Sequence, residues 1–495
     1  MPLARLDALP LVHGYAGLGP DFSCDMQPQG LRGAELLHLS RAGCALIDLD
    51  PDSVDPERAT AWFAGGELLP GAQPIAMVYS GHQFGVWAGQ LGDGRAHLLG
   101  EVRNRAGETW DLQLKGSGRT PFSRMGDGRA VLRSTLREYV AGEAMAGLGI
   151  PSTRALAIFR SDEPIEREET ETGALLVRLA RCHVRLGTFE HFHASGRLDL
   201  ARRLFGYSLG RWYPHLTGRG RRVELFLEEV TARNARLVAQ WMAVGFCHGV
   251  MNTDNTSILG ETIDFGPYAF MDDFQSGHVC NCTDVDGRYA YARQPQVMLW
   301  NLQRFAEAMA PLVPDVKLQA LQERVQAVFA ATFGEAYGGL MAAKLGLAAD
   351  APELPTLVQA TLDVLERGAL DHTGFWRTLS RAELVDAPAE LLAFVGESEA
   401  FRAWWPRYRA ARQAASAGAD EAATRAAMLW VNPKFVLRNY LVQAVIEEPD
   451  VGRQRAQLED LLEVLAAPCD EHPAHEALAA PPVGAQKAIQ VSCSS

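Results

Sequence analysis

The sequence predicts an α+β protein with a mostly helical C-terminal half, and three observations carry that expectation. Residues 71–160 are strand-like and punctuated by glycine, with "AHLLGEV" and "TWDLQLKG" flanking "RNRAGE". From about residue 290 onward nearly every stretch has helical character, including "ALQERVQAVFAATFGEAYGGLMAAKLG" and "DEAATRAAMLWV". Between the two lies a short loop rich in polar residues, "HGVMNTDNTSILGETIDFG", of a kind that carries chemistry. The 495 residues suffice for two or three packed regions, and 47% hydrophobic content supports substantial cores.

Residues 1–70 are mixed, with turn-rich patches at "DLDPDSVDPER" and "GGELLPGAQP". The Asn and Gly of "RNRAGE" suit a hairpin connection between the two strands that flank it. In "WDLQLKG" the alternation sets Leu112 and Leu114 on one face and Asp111, Gln113 and Lys115 on the other. "RAVLRSTLREYVAGEAMAGLGIP" reads as a helix with Leu132, Leu136, Val140 and Ala144 along one stripe, ended by Gly149 and Pro151. "GALLVRLARCHVRLGTF" is apolar and β-branched enough for a strand, and residues 233–247 read as a helix entering the polar loop. No clear linker divides the chain. The last 25 residues are rich in Pro and Ala and read as loosely ordered.

The polar loop has the outline of a protein-kinase catalytic core, H-R-D-x-x-x-x-N followed by D-F-G. His248 opens it, Asn255 follows seven residues on, and Asp264-Phe265-Gly266 comes after. The position of the kinase base holds Val250 instead. Asn255 and Asp264 are the expected metal ligands, because hard oxygen donors suit Mg2+ or Mn2+ between phosphates. Asp254 is the only carboxylate in the loop and the candidate base; a capped turn is the plainer account of "NTDNTS".

Upstream, "GQLGDGRAHL" offers Gly92 and Gly94, which leave room for backbone N–H groups near a phosphate, with Arg95 as a charged donor. An ordinary hairpin turn would have the same composition. "GDGRA" recurs at 126–130, so Asp127 and Gly128 form a second candidate contact; alternatively Asp127 sits near a helix cap. Lys115 precedes a helix carrying Glu138, an order similar to the kinase lysine–glutamate pair, with Glu143 as the competing partner. Arg178 and Arg185 lie in an apolar stretch, where an unpaired guanidinium is costly unless it meets a carboxylate or a polyphosphate.

The order of these parts resembles a protein-kinase-like bilobal fold. The chain is further similar to the selenoprotein O family, through "YSGHQFGVWAGQLGDGRA", "LQLKGSGRTPFSRMGDGRAVLRSTLREY", "HGVMNTDN", "IDFGPYAFMD", "NPKFVLRNYL" and the terminal "CSS". That resemblance implies a protein adenylyltransferase, moving AMP from ATP to Ser, Thr or Tyr of a protein and releasing pyrophosphate. It implies nucleotide contacts at Gly92, Gly94, Arg95, Lys115, Asp127, Gly128, Arg178, Arg185 and Asp264, a proton acceptor at Asp254, and metal ligands at Asn255 and Asp264. It places Cys493 where many members carry selenocysteine, and favours a regulatory Cys280–Cys493 disulfide.

The resulting organisation is an N-terminal extension over 1–70, a glycine-loop lobe over 71–180 and a catalytic-loop lobe over 181–330. A helical region over 331–480 and a flexible tail over 481–495 complete it. Uridylyl transfer from UTP, γ-phosphoryl transfer through Asp254 and a non-catalytic nucleotide-binding scaffold are the rival readings. A formal charge of −13 argues against nucleic-acid and anionic-membrane partners. No apolar run approaches the roughly 18 to 20 residues of a membrane span, and "MPLARLDALPLVHGYAGLGP" lacks a signal-peptide core. Eight cysteines suit a reducing compartment, so a bacterial cytoplasmic location is expected.

Overall fold

The computed structural model describes residues 3–415, 420–489 and 491. Ten short strands join in one antiparallel sheet: β1 (Leu11–Val12), β2 (Ser23–Asp25), β3 (Glu35–Leu39), β4 (Ile75–Gln83), β5 (Val86–Gly92), β6 (Ala96–Arg103), β7 (Thr109–Lys115), β8 (Ala130–Val131), β9 (Arg154–Glu166) and β10 (Thr170–Ala180). The spatial order is β2-β4-β6-β7-β10-β9-β3, with β1 on β6, β5 on β4 and β8 on β10. Residues 1–70 are thus woven into the sheet through three strands, β1, β2 and β3.

The hairpin expected around "RNRAGE" forms, pairing Arg103 with Thr109 and Ala96 with Lys115. The polar face of β7 is not solvated, however. Asp111 and Gln113 are buried. Asp111 accepts from the His183 ring at 2.9 Å, and Gln113 accepts from Arg178 at 3.2 Å and donates to Asp93 at 3.2 Å. Side-chain alternation separates the two faces of β7, and here the second face meets an internal polar layer instead of water.

The helices α1 (Arg41–Leu46) and α2 (Pro56–Phe63) cover one side of the sheet, and α3 (Leu132–Gly147) the other. Leu136, Val140 and Ala144 of the expected stripe are fully buried against Ile158 and Leu176. Each Leu or Val so buried contributes roughly 1.5–3 kcal/mol. The helix ends as its sequence suggests, with Gly149 at φ +70° and the Ile150 N–H returning to the Met145 carbonyl.

The remainder is largely helical: α4 (Leu186–Ala194), α5 (Leu198–Trp212), α6 (Arg222–Ala243), α7 (Gln294–Met309), α8 (Leu318–Leu345), then further helices through Val451–Ala466. The helix expected at 233–247 starts earlier and ends at Ala243, because Phe246–Cys247 pairs with Ala269–Phe270 in a two-stranded ladder. That ladder closes the base of the polar loop. Trp376, Trp404 and Tyr408 centre a second core, while Leu458 and Leu461 return to the first. Gly147 lies so close to the Val451–Ala466 helix that a Cβ there would be 1.8 Å from the Leu465 carbonyl oxygen.

The tail is more engaged than its composition implies. Lys487 pairs with Asp273 at 2.6 Å, and the Cys282 N–H donates to the Val491 carbonyl at 3.1 Å. Cys493 lies outside the described residues. No described helix is long and apolar enough to cross a membrane.

Candidate active site

His248 holds the two ends of the polar loop together. Its buried ring accepts from the Val250 N–H at 3.3 Å through Nδ1 and donates to the Ile263 carbonyl at 3.1 Å through Nε2. Inside this frame, Thr253–Asn255 forms a single 3-10 turn. The Asp254 carboxylate accepts from Gln83 Nε2 at 3.1 Å on Oδ2, while Oδ1 is buried with no hydrogen-bond partner. Burial pushes this carboxyl up to about 7, against the Gln83 hydrogen bond and the Arg185 charge. Asn255 donates its amide to the Val250 carbonyl at 3.1 Å, which leaves the amide oxygen as its acceptor.

Asp264 adopts a left-handed backbone, φ +57°, uncommon for a residue with a Cβ. Its carboxylate is clamped by Arg178 at 2.9 Å on Oδ1 and by Arg185 on Oδ2. Burial alone would raise this carboxyl, but Arg185, Arg178 and Lys115 outweigh it and hold Asp264 well below the usual carboxylate range. Arg185 also donates to the Asp254 carbonyl at 2.8 Å and lies 4.5 Å from the centre of the Tyr79 ring. One arginine therefore fixes the relative placement of both aspartates.

Glu138 bridges two cations: Oε2 accepts from the Lys115 amine and Oε1 from Arg178 Nε at 2.9 Å. Glu143, the competing partner, faces elsewhere and pairs with Arg154 at 2.9 and 2.6 Å. Burial pulls the Lys115 amine down to about 8 despite Glu138. The Arg95 carbonyl accepts from the Gly116 N–H at 2.7 Å, which sets Arg95 beside the end of β7.

The glycines are required by close packing. At Gly92, φ +149°, a Cβ would be 2.4 Å from the Phe122 ring, and at Gly128, φ +75°, it would be 2.2 Å from the Gly118 carbonyl carbon. The two "GDGRA" turns are thus pressed onto the same 118–123 segment. At Gly94 a Cβ would be 2.9 Å from the Phe122 carbonyl oxygen. Asp127 accepts from the Arg129 N–H at 2.9 Å and from Arg167 at 2.8 Å, so its carboxylate serves to brace the turn.

One cavity of about 770 Å³ is lined by Gly92, Gly94, Arg95, Lys115, Asp127, Gly128, Glu138, Arg178, Arg185, Asp254, Asn255 and Asp264 together. Tyr79, Gln83, Arg119, Arg167 and Asn252 line it too, and sequence reasoning missed them. Gln83 lies in "YSGHQFG", where only its place at the end of a strand before a glycine could have drawn notice. Cys280 is elsewhere, its thiol buried and donating to the Pro267 carbonyl at 2.9 Å.

Among the described residues no group of three or more His, Cys, Asp or Glu could hold a metal ion. The donors at hand are the Asn255 amide oxygen and the ionised Asp264 carboxylate. Two hard oxygens with phosphate and water completing the shell fit Mg2+ or Mn2+, which are commonly bound through few protein ligands.

A family model described as protein adenylyltransferase SelO matches residues 8–466. The chain is 46% identical over 499 residues to the protein nucleotidyltransferase YdiU of Thiobacillus denitrificans, covering all of both chains. It is 47% identical over 499 residues to the protein of the same name from Bordetella avium, and 44% over 495 residues to that of Myxococcus xanthus, again over full lengths. The protein is an enzyme of the nucleotidyltransferase class. It belongs to the SelO/YdiU family, as a bacterial-type member.

Proposed function

We propose that this enzyme is a protein adenylyltransferase, moving AMP from ATP to a serine, threonine or tyrosine hydroxyl of a protein. The observation that supports it is the opposite tuning of two carboxylates in one cavity. Asp254 is raised to about 7 with one oxygen unpartnered, and Asp264 is held ionised by two guanidiniums. Carboxylates driven apart in this way divide the work of base and fixed anion.

In the reaction, the acceptor hydroxyl oxygen bonds to the α-phosphorus while the bond from that phosphorus to the α–β bridging oxygen breaks. The hydroxyl proton passes to Asp254, and the electron pair of the broken bond leaves on pyrophosphate. Arg95, Lys115, Arg178 and Arg185 hold phosphate oxygens as charge shifts to the leaving group. Gly92, Gly94, Asp127 and Gly128 shape the turns around them, and Glu138 positions Lys115 and Arg178. Mg2+ or Mn2+, when bound through Asn255 and Asp264, supplies charge neutralisation at the phosphates.

The scaffold in this reading is a protein-kinase-like bilobal fold, with lobes over 71–180 and 181–330 beside a helical region over 331–480. A Cys280–Cys493 disulfide regulates it, opened in a reducing cytoplasm. The deciding experiment follows ATP labelled at the α- or γ-phosphate. Label from the α position should reach protein and label from the γ position should not; γ-label alone on protein would make the enzyme a kinase. Parallel incubation with UTP separates adenylyl from uridylyl transfer.

A further inference from the structure

Phe84 lines two cavities. One is the cavity of the two aspartates, and the other, of about 790 Å³, is bounded by residues 283–288 and the first turns of α7. No role assigned so far uses the second. The wall between them is rigidly tied to the polar loop: the Phe84 N–H donates to the Tyr289 hydroxyl at 2.8 Å and to Asn252 Oδ1 at 3.2 Å. Tyr289 in turn donates to Asn252 Oδ1 at 2.6 Å. Phe84 holds a left-handed backbone, φ +50°, a cost that this hydrogen-bonded corner must offset. The preceding residue, Gln83, is the one bonded to Asp254. The second cavity therefore shares one wall residue, Phe84, with the cavity that Asp254 lines.

The second cavity combines apolar surface with a cation set among aromatic rings. Val285 is 92% exposed and Phe84 37% exposed, and Trp300 is half-buried beside them. The Arg288 guanidinium lies 4.7 Å from the Trp300 ring centre and 6.0 Å from that of Tyr289. Its Nε is buried with no hydrogen-bond partner. The nearby Asp284 carboxylate is spent on the Arg288 and Tyr289 N–H groups at 3.0 and 2.7 Å. A half-buried guanidinium held over an aromatic ring is a site suited to a carboxylate.

We propose that this cavity docks the acceptor polypeptide, with an apolar side chain against Phe84, Val285 and Trp300 and an Asp or Glu carboxylate on Arg288. Continuity with the nucleotide cavity through Phe84 selects a polypeptide over a small ligand, since the occupant must send a hydroxyl past that residue to Asp254. The inference rests on the adenylyl-transfer reading above.

The test uses the full chain, α-labelled ATP and short synthetic peptides with one central hydroxyl, flanked by Glu and Leu, by Lys and Leu, or by Ala alone. The wild type should label the Glu-flanked peptides at least about 10-fold better than the Lys-flanked ones, the scale of one close charge pair. Arg288→Glu should invert that preference while peptide-independent pyrophosphate release persists. Val285→Ser, at a position too exposed to affect folding, should raise the peptide KM and leave kcat unchanged. Equal flank preference in wild type and Arg288→Glu, or none in the wild type, overturns the docking site while transfer itself stands. Pyrophosphate release without α-label on any peptide or protein overturns the transfer reading instead.

Discussion

If Asp254 is the proton acceptor proposed above, it should set the pH dependence of transfer. Its carboxyl is buried, has one unpartnered oxygen, and is pushed from an ordinary 3.8 to about 7. A general base works only when deprotonated. With a value near 7, about one-tenth of Asp254 is ionised at pH 6 and about nine-tenths at pH 8; the Lys115 amine, at about 8, loses half its charge by the upper end, so kcat/KM should rise roughly fivefold across that interval. An aspartate at its ordinary value would be fully ionised throughout and give a flat profile. The assay is the initial rate of α-label incorporation at subsaturating ATP across this pH range, with Gln83→Leu run beside the wild type. Removing the Gln83 hydrogen bond removes a contact that lowers the Asp254 value, so the limb should move to higher pH. Ionisation of ATP itself cannot move with that substitution. A flat wild-type profile, or a limb that stays in place in Gln83→Leu, would refute the assignment.

The same shift has a stability counterpart. A folded-state value above the unfolded one contributes stability below the unfolded value, and that contribution is lost as pH rises through about 7. Asp254→Asn, which cannot ionise, should therefore gain on the wild type between about pH 4 and pH 7. At roughly 1.4 kcal/mol per unit, the ceiling is about 4 kcal/mol. Urea melts at the two ends of the range measure it, and they do so whether or not the variant retains activity.

Asp264→Ala should abolish transfer and weaken metal-dependent nucleotide binding, because Arg178 and Arg185 lose their shared counter-ion along with a hard oxygen ligand; titration calorimetry with and without Mg2+ checks it. Glu138→Ala should cost about 3 kcal/mol or more in a urea melt, since it takes the ion-pair partner from the buried Lys115 amine and leaves Arg178 with Asp264 alone. Oxidation should lower transfer and Cys493→Ala should remove that sensitivity, read by activity with and without dithiothreitol; a variant as oxidant-sensitive as the wild type would exclude the switch.

Regular elements were legible wherever one period dominated. The β6–β7 hairpin and the α3 stripe follow from alternation, helical spacing and turn residues. The polar face of β7 was not, because Asp111 and Gln113 in a strand look the same whether they meet water or an internal polar layer. Glu138 and Glu143 could not be separated by spacing either, since both lie on a helix downstream of Lys115. Only the packing of α3 turns Glu138 toward Lys115 and Arg178, and Glu143 toward Arg154. Gln83 was invisible for another reason: it acts across 171 residues of chain on Asp254, and no local pattern records such a contact.

Val250 ties these observations together. It stands where a kinase-like loop carries its aspartate, it is buried, and it lines the cavity. A carboxylate there would be a third anion beside Asp254 and Asp264, in a space too dry to ionise all three. An apolar side chain leaves Asp254 the one carboxyl that can exchange a proton near neutral pH, because Asp264 is locked by Arg178 and Arg185. As the proposed base, Asp254 sits beside Gln83, the residue before Phe84, and in the docking proposed above an acceptor would approach from the Phe84 side.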